Sequence, residues 1–244
     1  MLVLARTGGF IATAPLFSNR SINTRLRLLI SICLAITLFT SMDVPLPEYS
    51  TIFGYTVLLV KELLIGLSVG FISSFVMAVI YMAGEFIDRE IGFTMATTFD
   101  PSVGANVTIT AEIYDKMIYL VILITNLHVY ILKALVQTFE AVPLGHVNIN
   151  FGFMFTEVLG LIGQYFSIGF MIAMPVFLST IILNVVLGVI SKSSPQMNMF
   201  AIGMQLKVLG GLLMLSIITM YIPSVANYLV EKMNDVVMTV LGGL

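Results

Sequence analysis

An all-α integral membrane protein of about six long, partly kinked hydrophobic helices is the fold class this sequence predicts. Three observations predict it. Of the 244 residues, 59% are hydrophobic and only 10% are charged, whereas a soluble domain carries about 25% charged residues. The mean hydropathy is +1.06. The charges are also segregated, leaving charge-free runs at 28–42, 63–84, 117–132, 158–191 and 208–230. A helix needs ~20 mostly apolar residues to cross a bilayer, and runs of this kind supply them. The solvent of such a chain is largely lipid. Its net charge of −2 offers no electrostatic footprint for nucleic acid.

The chain opens with "MLVLARTGGFIATAPLF", a short apolar segment broken by Pro15 and carrying Arg6. It has no basic start, and Arg6 falls inside the apolar stretch, so it does not read as a cleavable signal peptide. The second segment holds the single cysteine, Cys33, which excludes a disulfide within the chain and a cysteine-based metal site. Cys33 is expected to pack as a small hydrophobe.

The third segment, 51–84, is interrupted only by Lys61 and Glu62. Adjacent helix residues point ~100° apart, so these two do not pair with each other. Two readings stand: ionisable groups turned toward a partner polypeptide, or an interfacial pair whose lysine snorkels to headgroups. "GLSVGFISSFVMA" then places Gly66, Gly70, Ser74 and Ala78 at every fourth position. Small residues along one face let apolar helices approach closely in lipid. The stripe fits ordinary helix packing first, and a seam against a partner subunit is the sharper reading.

His128 and Asn126 share the fourth segment, and Gln164, Pro175 and Asn184 the fifth. The polar members are expected to make interhelical hydrogen bonds, and Pro175 a kink. A straight helix over 158–191 would measure ~51 Å against a hydrocarbon thickness of ~30 Å. The third segment is similarly over-long, with no evident breaker. Such helices must tilt steeply or lie partly in protein. Arg20, Arg25, Arg27, Arg89, Lys116, Lys192 and Lys207 occupy alternate gaps, and Lys133 and Lys232 the others. That excess places the first set in the cytoplasm and both termini outside.

Two connections carry unusual chemistry. In "GEFIDREIGFTMATTFDP", Glu85 and Arg89 stand at helical i,i+4 spacing beside Asp88 and Glu90. Gly92 permits the helix to end. Phe93, Met95 and Phe99 keep the following stretch apolar until Asp100-Pro101 favours a turn. This is either an interfacial loop or irregular backbone lining a protein cavity, the setting in which such backbone is tolerated at membrane depth. In "SKSSPQMNMFAIGMQLK", Pro195 ends a helix, and Gln196 and Asn198 alternate with Met197, Met199 and Phe200. A tip that is both polar and apolar favours a contact surface over a solvated hairpin.

No HExxH, GxSxG, P-loop or GxGxxG motif is present. The reading is therefore a non-enzyme without catalytic residues, cofactor or metal. A secondary transporter using Lys61, Glu62 and Glu85 for ion coupling is the alternative from another class.

In order along the chain, "ARTGGFIATAPLFSNRSINTRLR", "KELLIGLSVGF", "GEFIDREIGFTMATTFDP" and "NVVLGVISKSSPQMNMFAIG" resemble the successive signatures of the FliR family. Its members are flagellar export-gate proteins with counterparts (T-subunits) in virulence-type secretion systems. Phe-Asp-Pro at 99–101 and Ile-Gly at 202–203 look flagellar, while Gln205 departs from the proline of the family pattern. The resemblance implies a FliP-like part over 1–155 followed by a FliQ-like helical hairpin over 156–244. It implies an inner-membrane channel at the base of the flagellar basal body, built with FliP and FliQ, attached to FlhB, bathed in membrane lipid, and passing unfolded flagellar proteins. It implies a luminal plug at Gly92, Phe93, Met95, Phe99, Asp100 and Pro101, hinged by Glu85, Asp88, Arg89 and Glu90. Subunit contacts are expected at Lys61, Glu62, Gly66, Gly70, Ser74, Pro195, Gln196, Asn198 and Phe200.

Overall fold

The long charge-free runs of the sequence are built mainly of helix. The computed structural model describes residues 1–18, 22–42, 47, 51–94, 108–145, 151–193 and 199–243, and among these it is all helix and turn, with no strand. The helices are α1 (Leu2–Thr13), α2 (Thr24–Ser41), α3 (Ile52–Met77), α4 (Val79–Ile91), α5 (Ile109–Ile124), α6 (His128–Ala141), α7 (Phe151–Ser193), α8 (Met199–Thr219) and α9 (Ile222–Leu241). Four described stretches are long and apolar enough to cross a membrane: Thr24–Ser41, Ile52–Ile91, Leu159–Ser193 and Ile202–Thr219. They become five if α5 and α6 count as one broken span. The all-α membrane class is thus confirmed.

α1 does not join that set. Its 12 residues rise only ~18 Å, well short of a ~30 Å hydrocarbon core. It is clad by protein instead, packing chiefly on α3 and then on α2. The over-long third segment has a break that its sequence did not announce. Ala78 (φ −65°, ψ −12°) separates α3 from α4, with Tyr81 N–H donating to its carbonyl at 3.0 Å. α7 passes through Pro175 as one 43-residue helix. α5 and α6 are parted by a turn in which Asn126 takes φ 59°.

The helices assemble into two units. The first comprises Met1–Met77, Ile122–Ile162 and Asn227–Leu244. Its core includes Phe10 and Ile11 of α1, Ile65 and Val69 of α3, Ile131 and Leu135 of α6, and Leu229, Met233 and Val237 of α9. The second comprises Ala78–Val121 and Gly163–Ala226. There Ile80, Ala83, Ile87 and Ile91 form the buried stripe of α4 at helical spacing. α2, α7 and α8 turn most of their apolar side chains outward, Leu28, Ile36, Leu178, Val185, Val189, Leu209 and Leu213 among them. A water-facing protein of this size rarely exposes so many large apolar side chains.

Candidate functional site: the root of the central connection

Within the second unit, α4 delivers its charged turn to two neighbours and to its own exposed face. Asp88, only 2% exposed, reaches the start of α5. Its carboxylate accepts the Thr110 N–H (3.2 and 3.3 Å to the two oxygens) and the Thr110 hydroxyl. The first N–H groups of a helix lack partners within it, and a carboxylate there is favoured by the helix dipole. Glu90 accepts the Thr180 hydroxyl of α7 at 3.0 Å. Arg89 pairs with Glu85 on the exposed face, as i,i+4 spacing dictates. The four charges expected to act together therefore have three destinations.

Packing reinforces this arrangement. A Cβ added to Gly84 would lie 2.5 Å from the Ala111 backbone, so α4 and the first turn of α5 touch main chain to main chain. Phe86 stacks on Phe170 of α7 at 4.6 Å between centroids, and the Tyr165 hydroxyl donates to the Ala78 carbonyl at 3.2 Å. Gly211 of α8 leaves room for Ile91 and for nothing larger than hydrogen. α4 stops at Gly92, whose φ of +95° suits glycine. The N–H groups of Gly92 and Phe93 both donate to the Asp88 carbonyl, at 3.0 and 2.9 Å. Phe93 follows half-buried. Met95, Phe99, Asp100 and Pro101 lie outside the described residues.

In the first unit, a buried ion pair had no counterpart in the sequence reading. Arg6 and Glu62 are both fully buried, with Arg6 Nε and Nη2 each 2.6 Å from Glu62 Oε2. Arg6 Nη1 donates to the carbonyls of Thr138 (2.7 Å) and Val142 (2.8 Å), capping the C-terminal end of α6. The guanidinium lies 4.5 Å from the Phe139 ring centroid, and Glu62 Oε1 accepts the Gly145 N–H at 3.0 Å. Glu62 is thus turned to its own chain and away from any partner subunit.

The small-residue stripe is corrected in the same way. A Cβ on Gly66 would fall on the Arg6 carbonyl, and one on Gly70 would come within 2.7 Å of the Phe10 carbonyl. The Ser74 hydroxyl donates to the Thr13 carbonyl. The expected partner seam at Gly66, Gly70 and Ser74 is filled by α1. Lys61 is half-buried beside it.

Pro195, Gln196 and Asn198 lie outside the described residues, as does the side chain of Phe200, which sits in the first turn of α8. Cys33 faces outward, correcting its expected burial, because α2 buries little more than Ser31, Ala35 and Leu38. Gln164 and Asn184 also face outward on α7 and make no interhelical bond among the described residues. His128 is half-buried at the start of α6, and its Nδ1 has no hydrogen-bond partner among the described residues. No metal-holding group of His, Cys, Asp and Glu occurs among the described residues.

The sequence matches the family described as bacterial export proteins, family 1, over residues 1–233. The chain belongs to that family. Among its relatives, the flagellar biosynthetic protein FliR of Bacillus subtilis (strain 168) is 29% identical over 242 residues, covering 96% of this chain and 93% of that protein. The FliR of Escherichia coli (strain K12) is 29% identical over 246 residues, covering 99% and 92%. The FliR of Aquifex aeolicus (strain VF5) is 28% identical over 216 residues, covering 88% and 83%. The resemblance carried by the four sequence motifs is borne out. Family, relatives and apolar helices together support a membrane component of the flagellar export apparatus.

Proposed function

We propose that this chain is a subunit of the flagellar protein-export gate, joining FliP and FliQ in the inner membrane around a channel for unfolded flagellar proteins, with FlhB attached. It supplies no catalytic step. In this reading, 1–155 is the FliP-like part, 156–244 the FliQ-like hairpin, and the connection beginning at Gly92 is a luminal plug.

One observation carries the assembly. α7 runs for 43 residues, ~65 Å, yet turns the amides of Gln164 and Asn184 outward from an apolar surface. Nothing lies within 4 Å of the Cβ positions of Gly163 and Gly188 on the same helix. Uncapped amides are unfavourable against acyl chains, whereas open glycines and amides are what a neighbouring helix uses. The two amides point to different sides of α7, with Asn184 on the side of the two glycines, and sister polypeptides cover such a helix better than lipid does.

The plug is tested by deleting residues 93–99. Secretion is expected to persist while the reconstituted gate conducts ions in its resting state, because apolar constrictions close pores by excluding water. Equal resting conductance with and without the deletion overturns the plug. Recovery of the chain free of FliP and FliQ from flagellated cells overturns the assembly.

A further inference from the structure

We propose that the cleft in the first unit, where α2 stops and α3 begins, is a binding site for one acyl chain of a membrane phospholipid. The site lies within a single unit of this chain and needs no partner subunit.

The sequence places apolar residues at the start of α1, near the end of α2 and near the start of α3, and the fold leaves a space among them. The cavity measures about 410 Å³, within the ~300–1,000 Å³ typical of small-molecule sites. Leu2, Val3, Ala35 and Leu144 line it and are buried. Ile36 and Phe39 line it too, yet are 59% and 54% exposed, so the space opens beside α2. Half-buried Tyr55 supplies the one side-chain hydroxyl among the described lining residues, and no charged side chain is among them.

Chemistry and position select the occupant. Protein interiors are close-packed, so an apolar space of this size forfeits contacts while it is empty. Water fills it poorly, because a buried water needs about two to four polar partners. A single helical turn, ~10 Å wide and ~5.4 Å tall, already has about that volume, so a neighbouring subunit could place only side chains there. α2 is long and apolar enough to cross the membrane and buries few of its residues. The mouth at Ile36 and Phe39 therefore continues the surface that α2 presents to lipid. Ile36 stands five residues before the last residue of α2, ~7.5 Å from its end, and Tyr55 three residues into α3, ~4.5 Å from its start. The cleft thus opens near the level at which spans meet headgroups, where tyrosine is enriched. A phospholipid there keeps its headgroup in water and lays one chain over Leu144 and Val3. Behind Leu144, the Gly145 N–H is held by Glu62 of the buried ion pair. A filled cleft therefore also keeps water from Arg6 and Glu62.

The chain has no tryptophan, so one introduced indole reports its own surroundings. The test reconstitutes the full chain carrying Tyr55→Trp in phosphatidylcholine vesicles with brominated acyl chains, bromine being a contact quencher of indole emission, and in unbrominated vesicles. Tyr55→Trp is expected to be quenched by the brominated lipid. Adding Ala35→Leu, whose larger side chain occupies the cleft, should recover most of the emission lost. Leu28→Trp, on the outward side of α2, should be quenched with or without Ala35→Leu. Should Ala35→Leu fail to fold, Ile36→Phe narrows the mouth from an exposed position and is expected to reduce the quenching by less. A Tyr55→Trp protein that keeps its emission while Leu28→Trp loses it overturns the site, and means that the cleft is closed or holds protein. Quenching of Tyr55→Trp that neither Ala35→Leu nor Ile36→Phe reduces also overturns it, because the indole then meets the bulk bilayer and no chain in the cleft.

Discussion

Arg6 and Glu62, 56 residues apart in sequence, form an ion pair from which water is entirely excluded. The pair joins α1 to α3, and through the Thr138 and Val142 carbonyls and the Gly145 N–H it also holds the end of α6. Removing one partner strands the other charge in an apolar interior. Glu62→Ala is therefore expected to destabilise the chain by about 3–5 kcal/mol. The double variant Arg6→Met/Glu62→Met should lose less, because apolar side chains of similar size do not require a partner. Denaturant unfolding of the detergent-solubilised protein measures both. A Glu62→Ala variant as stable as the parent would show that the pair does not hold these helices together.

The seam between α1 and α3 makes a second, sharper demand. At Gly66 the obstacle to a methyl group is the Arg6 main-chain carbonyl, which cannot rotate aside. Gly66→Ala should displace α1 and cost about 1–3 kcal/mol, the usual range for overpacking. Gly188 of α7 has open space instead. There alanine should leave the isolated chain unchanged or stabilise it by about 0.5–1 kcal/mol through helix propensity. Melting of the two purified variants decides this, and equal effects would mean that the close α1–α3 approach is wrong. If Gly188→Ala also impairs assembly while the chain itself stays stable, the outward face of α7 is occupied by protein.

These two sites mark where sequence reasoning reached and where it stopped. Runs free of charge become helices because nothing in them favours another state in an apolar medium, so the membrane class was legible. Glu85 and Arg89 were placed on one face by period alone, and the structure pairs them. Small residues at every fourth position encode close approach but not the identity of the approaching helix, and the stripe at Gly66 and Gly70 turned out to serve α1. Arg6–Glu62 was invisible because each residue, read locally, is a charge in an apolar run whose partner lies elsewhere. The break at Ala78 carries no signal, since an alanine with near-helical dihedrals looks like any other. Asp88 and Thr110 could have been suspected. A carboxylate near the end of one helix and the first N–H groups of the next are complementary, although a separation of 22 residues conceals the match.

Gly92 offers a test of the helix end that is independent of side-chain packing. Its φ of +95° and ψ of 15° lie in the left-handed region, and nothing lies within 4 Å of its Cβ position. A substitution there changes backbone strain and little else. Alanine in that conformation is expected to cost about 1–2 kcal/mol, with asparagine costing less because its short polar side chain tolerates left-handed geometry. Thermal unfolding should therefore rank the parent above Gly92→Asn and Gly92→Ala lowest. The same order should appear in amide exchange at Gly92 and Phe93, whose N–H groups both bond to the Asp88 carbonyl. A Gly92→Ala protein that melts with the parent would mean that α4 does not end at residue 92 in the native state.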